Sequence, residues 1–554
     1  MEKRIFLAIG ISIALLWIWA ALAPKLFPEL AKKPLPPKPA VTSTTASSTT
    51  STAPATSSSA PTAVATPTIA PAPAMTQVVS ATRVQPSVFR NDGEYVATFS
   101  NRGAQLVSFK LLRYKQKHSR DVVELVKARA ATRTDFPFSI EAQDAAFARR
   151  VNSALYAVSE REERGRHVIE YRYSDGAVSV TKTFRLDMLQ PYLFDFAISI
   201  NPPVPYRVVI GPGLRTLSAD EHDSRVVMTG NGVIERESKF RVINREKAPL
   251  FQSYDGLQYI GVEDNYFLSV LRPTHGGAGV LRRIDIYSGP KEKRAELYAG
   301  VNASTDGAVA GQAFFGPKET QLLDRYDLAG ALQFGFFGAI GRFFLRALVW
   351  INTATKNYGF AIIVLTILIK IVLYPLQHKS ILSMKKMQRV NPKVEAIKAR
   401  YKKAKSDAEQ RQKMNMEVMA LYQKEGINPM AGCLPLVLQL PILWGFYGLL
   451  SRAIELRGAP FILWIHDLSD KDPTFVLPIL MTATMFIQTY ITPSTGDPSQ
   501  RRMFLVMPLF FGFLFKDFPS GLVLYWLVQN ILTIVQQSIM NKWWKEHPAE
   551  LQNA

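Results

Sequence analysis

The chain has 554 residues, 47% hydrophobic and 20% charged, and its 66 Lys and Arg against 45 Asp and Glu give a formal net charge of +21. One cysteine, Cys433, excludes an intrachain disulfide and any CxxC metal site. The seven histidines show no HExxH spacing, and no Gly-Lys pair is present to build a Walker A loop. A basic balance fits nucleic acid or anionic lipid as partner, and the basic residues here bracket apolar spans, which favours lipid.

Residues 5–23 (IFLAIGISIALLWIWAALA) follow Lys3 and Arg4 and are long enough to cross a bilayer. Ala21-Leu22-Ala23 resembles a signal-peptide cleavage site. Pro24 follows directly, however, and the apolar run is long for such a core, so residues 1–29 read as an uncleaved anchor with a cytoplasmic N-terminus. Residues 30–85, rich in Pro, Ala, Ser and Thr, hold too few large apolar groups to offset the entropy of ordering; they are predicted to be a disordered linker.

From 86 to 325 the period is two. Phe194, Phe196, Ile198 and Ile200 alternate with Asp195, Ala197 and Ser199, and Ile169, Tyr171 and Tyr173 alternate with Glu170 and Arg172. Asp175-Gly176 then turns the chain into Val178 and Val180, which predicts a hairpin. Similar runs lie at 95–99, 237–243, 257–262, 265–272 and 280–287. Many short strands with little helical period predict a β-sandwich on the translocated side.

A helical period returns over 335–351. Phe336, Ile340, Phe344, Leu348 and Ile351 share one face, and Arg342 and Arg346 lie on another. That pattern suits a helix in the membrane interface, or alternatively one packed on the β domain. Five further spans follow at 359–376, 433–451, 475–491, 503–515 and 521–540. The loop 377–430 carries 13 Lys and Arg against 5 Asp and Glu, whereas 452–474 carries Arg452, Arg457 and Lys471 against Glu455, Asp467, Asp470 and Asp472. Arg501, Arg502, Lys542 and Lys545 fall on the same side as the first loop, so the positive-inside rule places both termini in the cytoplasm. The predicted fold class is a polytopic α-helical membrane protein: a five-helix core within 335–554, an N-terminal anchor helix, and a large periplasmic all-β sandwich at 86–325.

Lys370 lies within YGFAIIVLTILIKIVLYPL, six residues from Leu376, which is about 9 Å of helix. A charge at the centre of a span costs roughly 2.5–3.5 kcal/mol. A lysine that snorkels to the interface is the plain alternative. Thr366 and Tyr374 stand one turn either side, on one polar stripe, and none of the five C-terminal spans contains an acidic residue. A wet cavity or a polar partner follows from that arrangement. Gln439, Gln488, Gln529 and Asn530 add polar groups to apolar stretches, the last two beside Tyr525 and Trp526; each also suits simple helix–helix hydrogen bonding. The Phe-rich run 503–515 suits either lipid or a guest helix. The loop 377–430 reads as a basic helical hairpin. Ser406-x-x-Glu409 is a capping box, Met414, Val418, Leu421 and Tyr422 form an apolar stripe, and Gly426 is a stop. Its charge suits anionic lipid or RNA, or only sets topology.

The C-terminal part resembles the YidC-type membrane protein insertases, relatives of the mitochondrial and chloroplast insertases. The resemblance rests on YGFAIIVLTILIK…YPL at 358–376, MKKMQ…NPK at 384–393, MALYQKEGINPMAGCLPLVLQLPI at 419–442, APFILWIHDLSDKDP at 459–473, LPILMTATMFIQ at 477–488 and FPSGLVLYW at 518–526. The anchor, linker and β domain look like the Gram-negative form. The resemblance implies a groove open to cytoplasm and lipid, with Lys370 at the positive position where many members carry Arg; lysine keeps the charge but lacks the planar bidentate fork. It also implies substrate contact at Thr366 and Trp526 and a groove polar residue at Gln488; Tyr525, Gln529 and Asn530 complete the candidate set. The segment after 541 lacks the long basic extension that some relatives use on ribosomes, which weighs against that mode of binding.

The expected function is that of a passive insertase and chaperone of the bacterial inner membrane: not an enzyme, without cofactor, metal or small-molecule substrate. Nascent membrane proteins are the guests, and membrane lipids are in contact throughout. The Sec translocon is a partner by resemblance, and a ribosome or targeting receptor is a candidate partner at 377–430. The rivals are a solute transporter or channel gated at Lys370, and an envelope scaffold whose β domain binds a partner while the bundle anchors it.

Overall fold

The computed structural model describes residues 77–117, 119–127, 135–215, 230–274, 277–289, 292–401, 407–428, 434–492 and 498–546. The anchor at 5–23, most of the linker, Ser406 and Cys433 lie outside the described residues. The chain divides into two compact units. One holds Thr76–Ala399 with Glu417–Ala554, and the described part of the other lies within Arg400–Met416.

In the larger unit the described strands run from Pro86 to Pro317 and form two antiparallel sheets. The smaller has four strands, Pro86–Asn91, Tyr95–Ser100, Gln105–Lys115 and Val122–Glu124, in sequence order. The larger has thirteen, with Ser139–Ala142 at one edge and Ala157–Glu163 at the other. Rings from both sheets fill the space between them. Phe99 meets Phe184 at 4.5 Å between centroids, Phe109 meets Phe315 at 5.6 Å, and Phe138 lies 4.9 Å from Phe184. Every residue in this aromatic group is 2% exposed or less, so their burial, worth roughly 1.5–3 kcal/mol each, dominates the cohesion of the sandwich. The hairpin predicted at Asp175-Gly176 forms: Asp175 Oδ1 accepts from the amides of Ala177 and Val178, Gly176 has φ +90°, and Ser174 pairs with Ser179. Among the described residues one helix interrupts the strands, α1 (Ala145–Ser153), capped by Asp144 through the amides of Ala146 and Phe147.

A short helix, α2 (Thr320–Arg325), leads out of the sandwich to α3 (Gly338–Thr355). Phe344, Leu348 and Ile351 are buried in α3, as its period requires. Phe336 departs from that face: it precedes the helix and is 97% exposed. The buried face packs on the helical bundle, Phe344 lying 4.7 Å from Phe446, while Phe343 and Trp350 stand exposed on the other side.

The bundle consists of α4 (Tyr358–Arg400), α6 (Leu434–Leu450), α7 (Val476–Ile491), α8 (Pro498–Phe515) and α9 (Ser520–Glu546), with α5 (Ala408–Lys424) between the first two in sequence. Among the described residues Tyr358–Arg400 and Ser520–Trp544 are long and apolar enough to cross a membrane; Leu438–Leu450, Val476–Ile491 and Phe504–Phe515 are shorter apolar helices. Small residues allow close approach here: a Cβ on Gly512 would lie 2.1 Å from Thr482 Oγ1, so α7 and α8 touch backbone to side chain. Helix α4 continues through Pro375 and Pro392 without ending at the apolar boundary near 376.

Polar contacts join the sandwich to one end of the bundle. Asn265 Nδ2 donates to Ser451 O at 2.9 Å, Arg452 donates to Gln333 O at 2.6 Å, and Thr320 donates to Glu455 through its amide (3.0 Å) and its hydroxyl (2.9 Å). Burial raises the Glu455 carboxyl above the usual range, against those two donations. At the same end Asn357 Nδ2 donates to Phe461 O, and Ser520 donates its amide to Asp470 O and its hydroxyl to Asp467 O, which ties the starts of α4 and α9 to the loop 452–474. Beyond the far end of the apolar segments, Met387, Val390 and Val394 of α4 pack with Val418, Leu421 and Tyr422 of α5 and with Ile427. In the second unit Asp407 Oδ1 accepts from the amides of Glu409 and Gln410, capping α5, and Lys413 pairs with Glu409 at 2.8 Å.

Candidate functional site

Two buried polar residues on α4, Thr366 (0% exposed) and Lys370 (7%), open a seam through the apolar half of the bundle. Thr366 satisfies itself by donating to Ile362 O at 2.6 Å, one turn back. Lys370 cannot do so. Its ammonium donates to Thr533 Oγ1 of α9 at 2.9 Å, and among the described residues no carboxylate forms an ion pair with it. Tyr374, predicted to continue the stripe, is 48% exposed and lies beside His378. The buried polar line runs on through Gln377 and Ser380 instead: at about 100° per residue, Thr366, Gln377 and Ser380 all fall to one side of Lys370, and Tyr374 falls to the other.

Helix α9 supplies the opposite wall. Gln529, Asn530, Thr533, Gln536 and Gln537 fall within an arc of about 120° on that helix, with Thr533 near its centre. Asn530 Nδ2 reaches Thr484 Oγ1 at 3.3 Å on α7, and Gln537 Nε2 donates to Thr492 Oγ1 at 3.1 Å. The seam therefore involves three helices: α4 through Lys370, α7 through Thr484 and Thr492, and α9 between them. Gln488 joins it from α7.

Several of these amides are left over. The side-chain carbonyls of Gln488 and Gln529, and both amide atoms of Gln536, are buried with no hydrogen-bond partner among the described residues. An unsatisfied polar group away from water costs about 1–3 kcal/mol in protein interiors and more in hydrocarbon. Four such atoms on α7 and α9, with the Lys370 ammonium hydrogen-bonded to a hydroxyl of α9, make a set that calls for water or a polar chain.

The remaining predicted residues take other roles. Tyr525 is fully buried, stacks on Phe446 at 4.4 Å, and its hydroxyl accepts from Gln439 Nε2; it faces α6 and locks that helix to α9. Trp526 packs on Phe515 at 5.3 Å and Phe511 at 6.4 Å, so it joins α8 to α9. Lys370, Thr366, Gln488, Gln529 and Asn530 thus share one polar region, while Tyr525 and Trp526 border it. Reading the sequence missed Thr533, Gln536, Gln537, Thr484 and Thr492. The signal was present as polar residues at 529, 530, 533, 536 and 537, but a threonine that back-bonds, as Thr533 does to Gln529 O at 2.8 Å, passes for an apolar residue in a span.

Two family models cover this chain, that of the 60Kd inner membrane protein over residues 350–547 and that of the YidC periplasmic domain over residues 91–351. The chain is 33% identical to the membrane protein insertase YidC of Geotalea uraniireducens (strain Rf4) over 98% of its own length and 99% of the relative's. It is 34% identical to that of Pelobacter propionicus, again over 98% of its own length and 99% of the relative's. A solved structure described as an active YidC insertase with the first transmembrane domain resolved aligns with 84% of this chain and 94% of its own, at 20% identity and a TM-score of 0.36.

Proposed function

This chain belongs to the YidC family of membrane protein insertases of the inner membrane, and from that premise we propose that the seam around Lys370 is a hydrated groove that receives the polar segment of a guest protein. The observation that carries this reading is the buried Lys370 ammonium on the Thr533 hydroxyl of α9, together with the orphaned amide atoms of Gln529 and Gln536 on that helix and of Gln488 on α7. Water satisfies these groups at rest; the backbone and acidic side chains of a guest replace that water during passage. The positive charge lowers the barrier for acidic segments. The guest's apolar segment then leaves along α7 and α8, whose exposed surfaces carry Ile479, Phe486, Phe510 and Phe513. Burial of a guest span in lipid supplies the free energy, and no nucleotide is consumed.

The proposed organisation has an anchor at 1–29, a linker at 30–85, a periplasmic sandwich at 86–325 and a core at 335–554 whose five helices all span. Both termini and the basic hairpin 377–430 lie in the cytoplasm. There the hairpin meets anionic lipid and a ribosome or targeting receptor, and the core works alone or beside the Sec translocon. The test is reconstitution of the full chain in liposomes with a small one- or two-span guest. Lys370→Glu lowers insertion of guests with acidic translocated segments by about tenfold, the equivalent of roughly 1.4 kcal/mol. Equal insertion into empty liposomes, or an unchanged rate for the folded Lys370→Glu protein, defeats the proposal.

A further inference from the structure

Where the strand Gln105–Lys115 of the smaller sheet meets the loop 452–474, a pocket of about 600 Å³ opens between them. Two ties frame it: Arg457 Nη1 donates to Lys115 O at 2.9 Å, and Lys117 pairs with Asp470 at 2.9 Å. Five cations line it, Arg113, Lys115 and Lys117 on one wall and Arg457 and Lys471 on the other, against two carboxylates. Both carboxylates are already engaged, Asp470 by Lys117 and Asp467 by the amide and hydroxyl of Ser469. Arg457 is fixed over the rings of Tyr266 and Phe267 at 5.4 and 5.5 Å, and Arg113 lies against Glu94 and Glu319. Lys115 and Lys471 are exposed, and among the described residues no carboxylate pairs with either.

The pocket sits at the head of both membrane-length helices. Ser520, the first residue of α9, lines it and donates to Asp470 O and Asp467 O; Asn357, just before α4, donates to Phe461 O of the same loop. Beside the charged pocket this segment turns apolar: Ile462, Leu463 and Phe475 are 44%, 75% and 43% exposed. Leu463 and Phe475 have φ of +55° and +58°, a left-handed backbone that bulky residues rarely adopt. The fold thus accepts an unfavourable conformation at two positions that present apolar side chains outward. Trp464 follows Leu463 and lines the pocket, so an indole marks the boundary between the two surfaces, as tryptophan does between water and membrane. Cations on one side of that boundary and uncovered apolar side chains on the other match the two halves of an amphiphile.

We propose that this pocket binds the headgroup of an anionic phospholipid from the leaflet on the sandwich side. Its phosphate takes the ammonium groups of Lys115 and Lys471, and its acyl chains run along Leu463 and Phe475. A soluble anion meets the cations but leaves the apolar side chains uncovered. A zwitterionic lipid covers those side chains but brings a cation of its own to a pocket that already has an excess. The bound lipid joins the sandwich strand, the loop and the bilayer at one point. The reading needs α4 and α9 to cross the bilayer and shares no residue with the seam, so either can fail alone.

The experiment titrates the full chain in detergent with phosphatidylglycerol or with phosphatidylcholine of the same acyl chains, and native mass spectrometry reads the bound lipid. The wild type holds phosphatidylglycerol about tenfold more tightly than phosphatidylcholine. The double variant Lys115→Gln/Lys471→Gln removes that preference, as expected for loss of charge-assisted contacts to the phosphate, and both positions are exposed, so the fold is spared. Lys110→Gln removes one charge from the same strand outside the pocket and leaves binding as it was. Leu463→Gly suits the local backbone and keeps the protein stable, yet weakens both lipids by about threefold because an acyl contact is gone. Equal affinity for the two lipids overturns the proposal, as does a double variant that keeps the preference. Glycerol phosphate that competes at the same concentration as the lipid overturns it by reducing the pocket to a small-anion site. A soluble acidic peptide that displaces the lipid at lower concentration than the lipid itself overturns it in favour of a protein partner.

Discussion

Each of the two regions buries a lysine, and the two are held in opposite ways. In the sandwich, Lys182 is fully buried under Tyr156, and its ammonium donates to Gly103 O at 2.6 Å, Phe138 O at 2.8 Å and Ala104 O at 3.4 Å. In the bundle, Lys370 donates to the Thr533 hydroxyl. An ammonium has three hydrogens. Lys182 commits all three to fixed carbonyls and ties two loops to the sheet, whereas Lys370 has one acceptor among the described residues, which on the proposed function leaves two hydrogens for a guest. Burial of an ammonium thus has two outcomes here, and the number of acceptors among the described residues, three against one, distinguishes them.

The largest effect belongs to the sandwich. Lys182→Ala leaves three carbonyls without a donor and opens a cavity, costing at least about 3 kcal/mol. Denaturation of the purified protein followed by tyrosine fluorescence measures that loss, and insertion per folded molecule stays unchanged. A Lys182→Ala protein of normal stability breaks the comparison. Next comes pH. Burial lowers the Lys182 ammonium to about 7, well below the ordinary lysine value of about 10.4. Between those values the unfolded chain binds one more proton than the folded one, so stability rises as pH increases from 7 towards 10 and levels off below 7. The melting temperature of the sandwich transition across that range checks the slope, and Lys182→Met flattens it. In the seam, Gln536→Leu removes an orphaned amide; it slows insertion by about three- to tenfold while stabilising the bundle or leaving it unchanged. Insertion kinetics and thermal melting on the same samples separate this from a structural role, for which both fall together. The smallest effect is Lys370→Arg, which keeps the charge and changes insertion by about twofold or less. A large loss there shows that hydrogen-bond geometry to Thr533, and not charge alone, sets the rate.

Much of this architecture was legible because period and burial go together. Phe194, Phe196, Ile198 and Ile200 are buried on alternate positions of one strand, and Asp175-Gly176 makes the turn that its side-chain chemistry favours. Lys370 and Thr366 were legible as polar exceptions in an apolar run. Their partners were not, since Thr533 is 163 residues away and resembles any span threonine. Helix α1 escaped notice because its nine residues, AAFARRVNS, bury only Phe147 and Val151. The cationic pocket escaped for a different reason. Lys115 and Lys471 line one pocket only because Arg457 and Lys117 tie the strand end to the loop, and no local pattern in the chain encodes which distant segments lie side by side.

Pro375 stands five residues beyond Lys370 inside the 43-residue helix α4. A proline has no amide hydrogen, so the carbonyl of Ile371 loses the rung that would tie it to position 375. The helix is therefore a lever with a soft joint just past its charged turn. Tension or a docking force on its distal arm bends that joint before it shifts the packed proximal arm. The charged turn at Lys370 and the long arm beyond it are mechanically in series, with the missing rung at Ile371 one residue past the lysine.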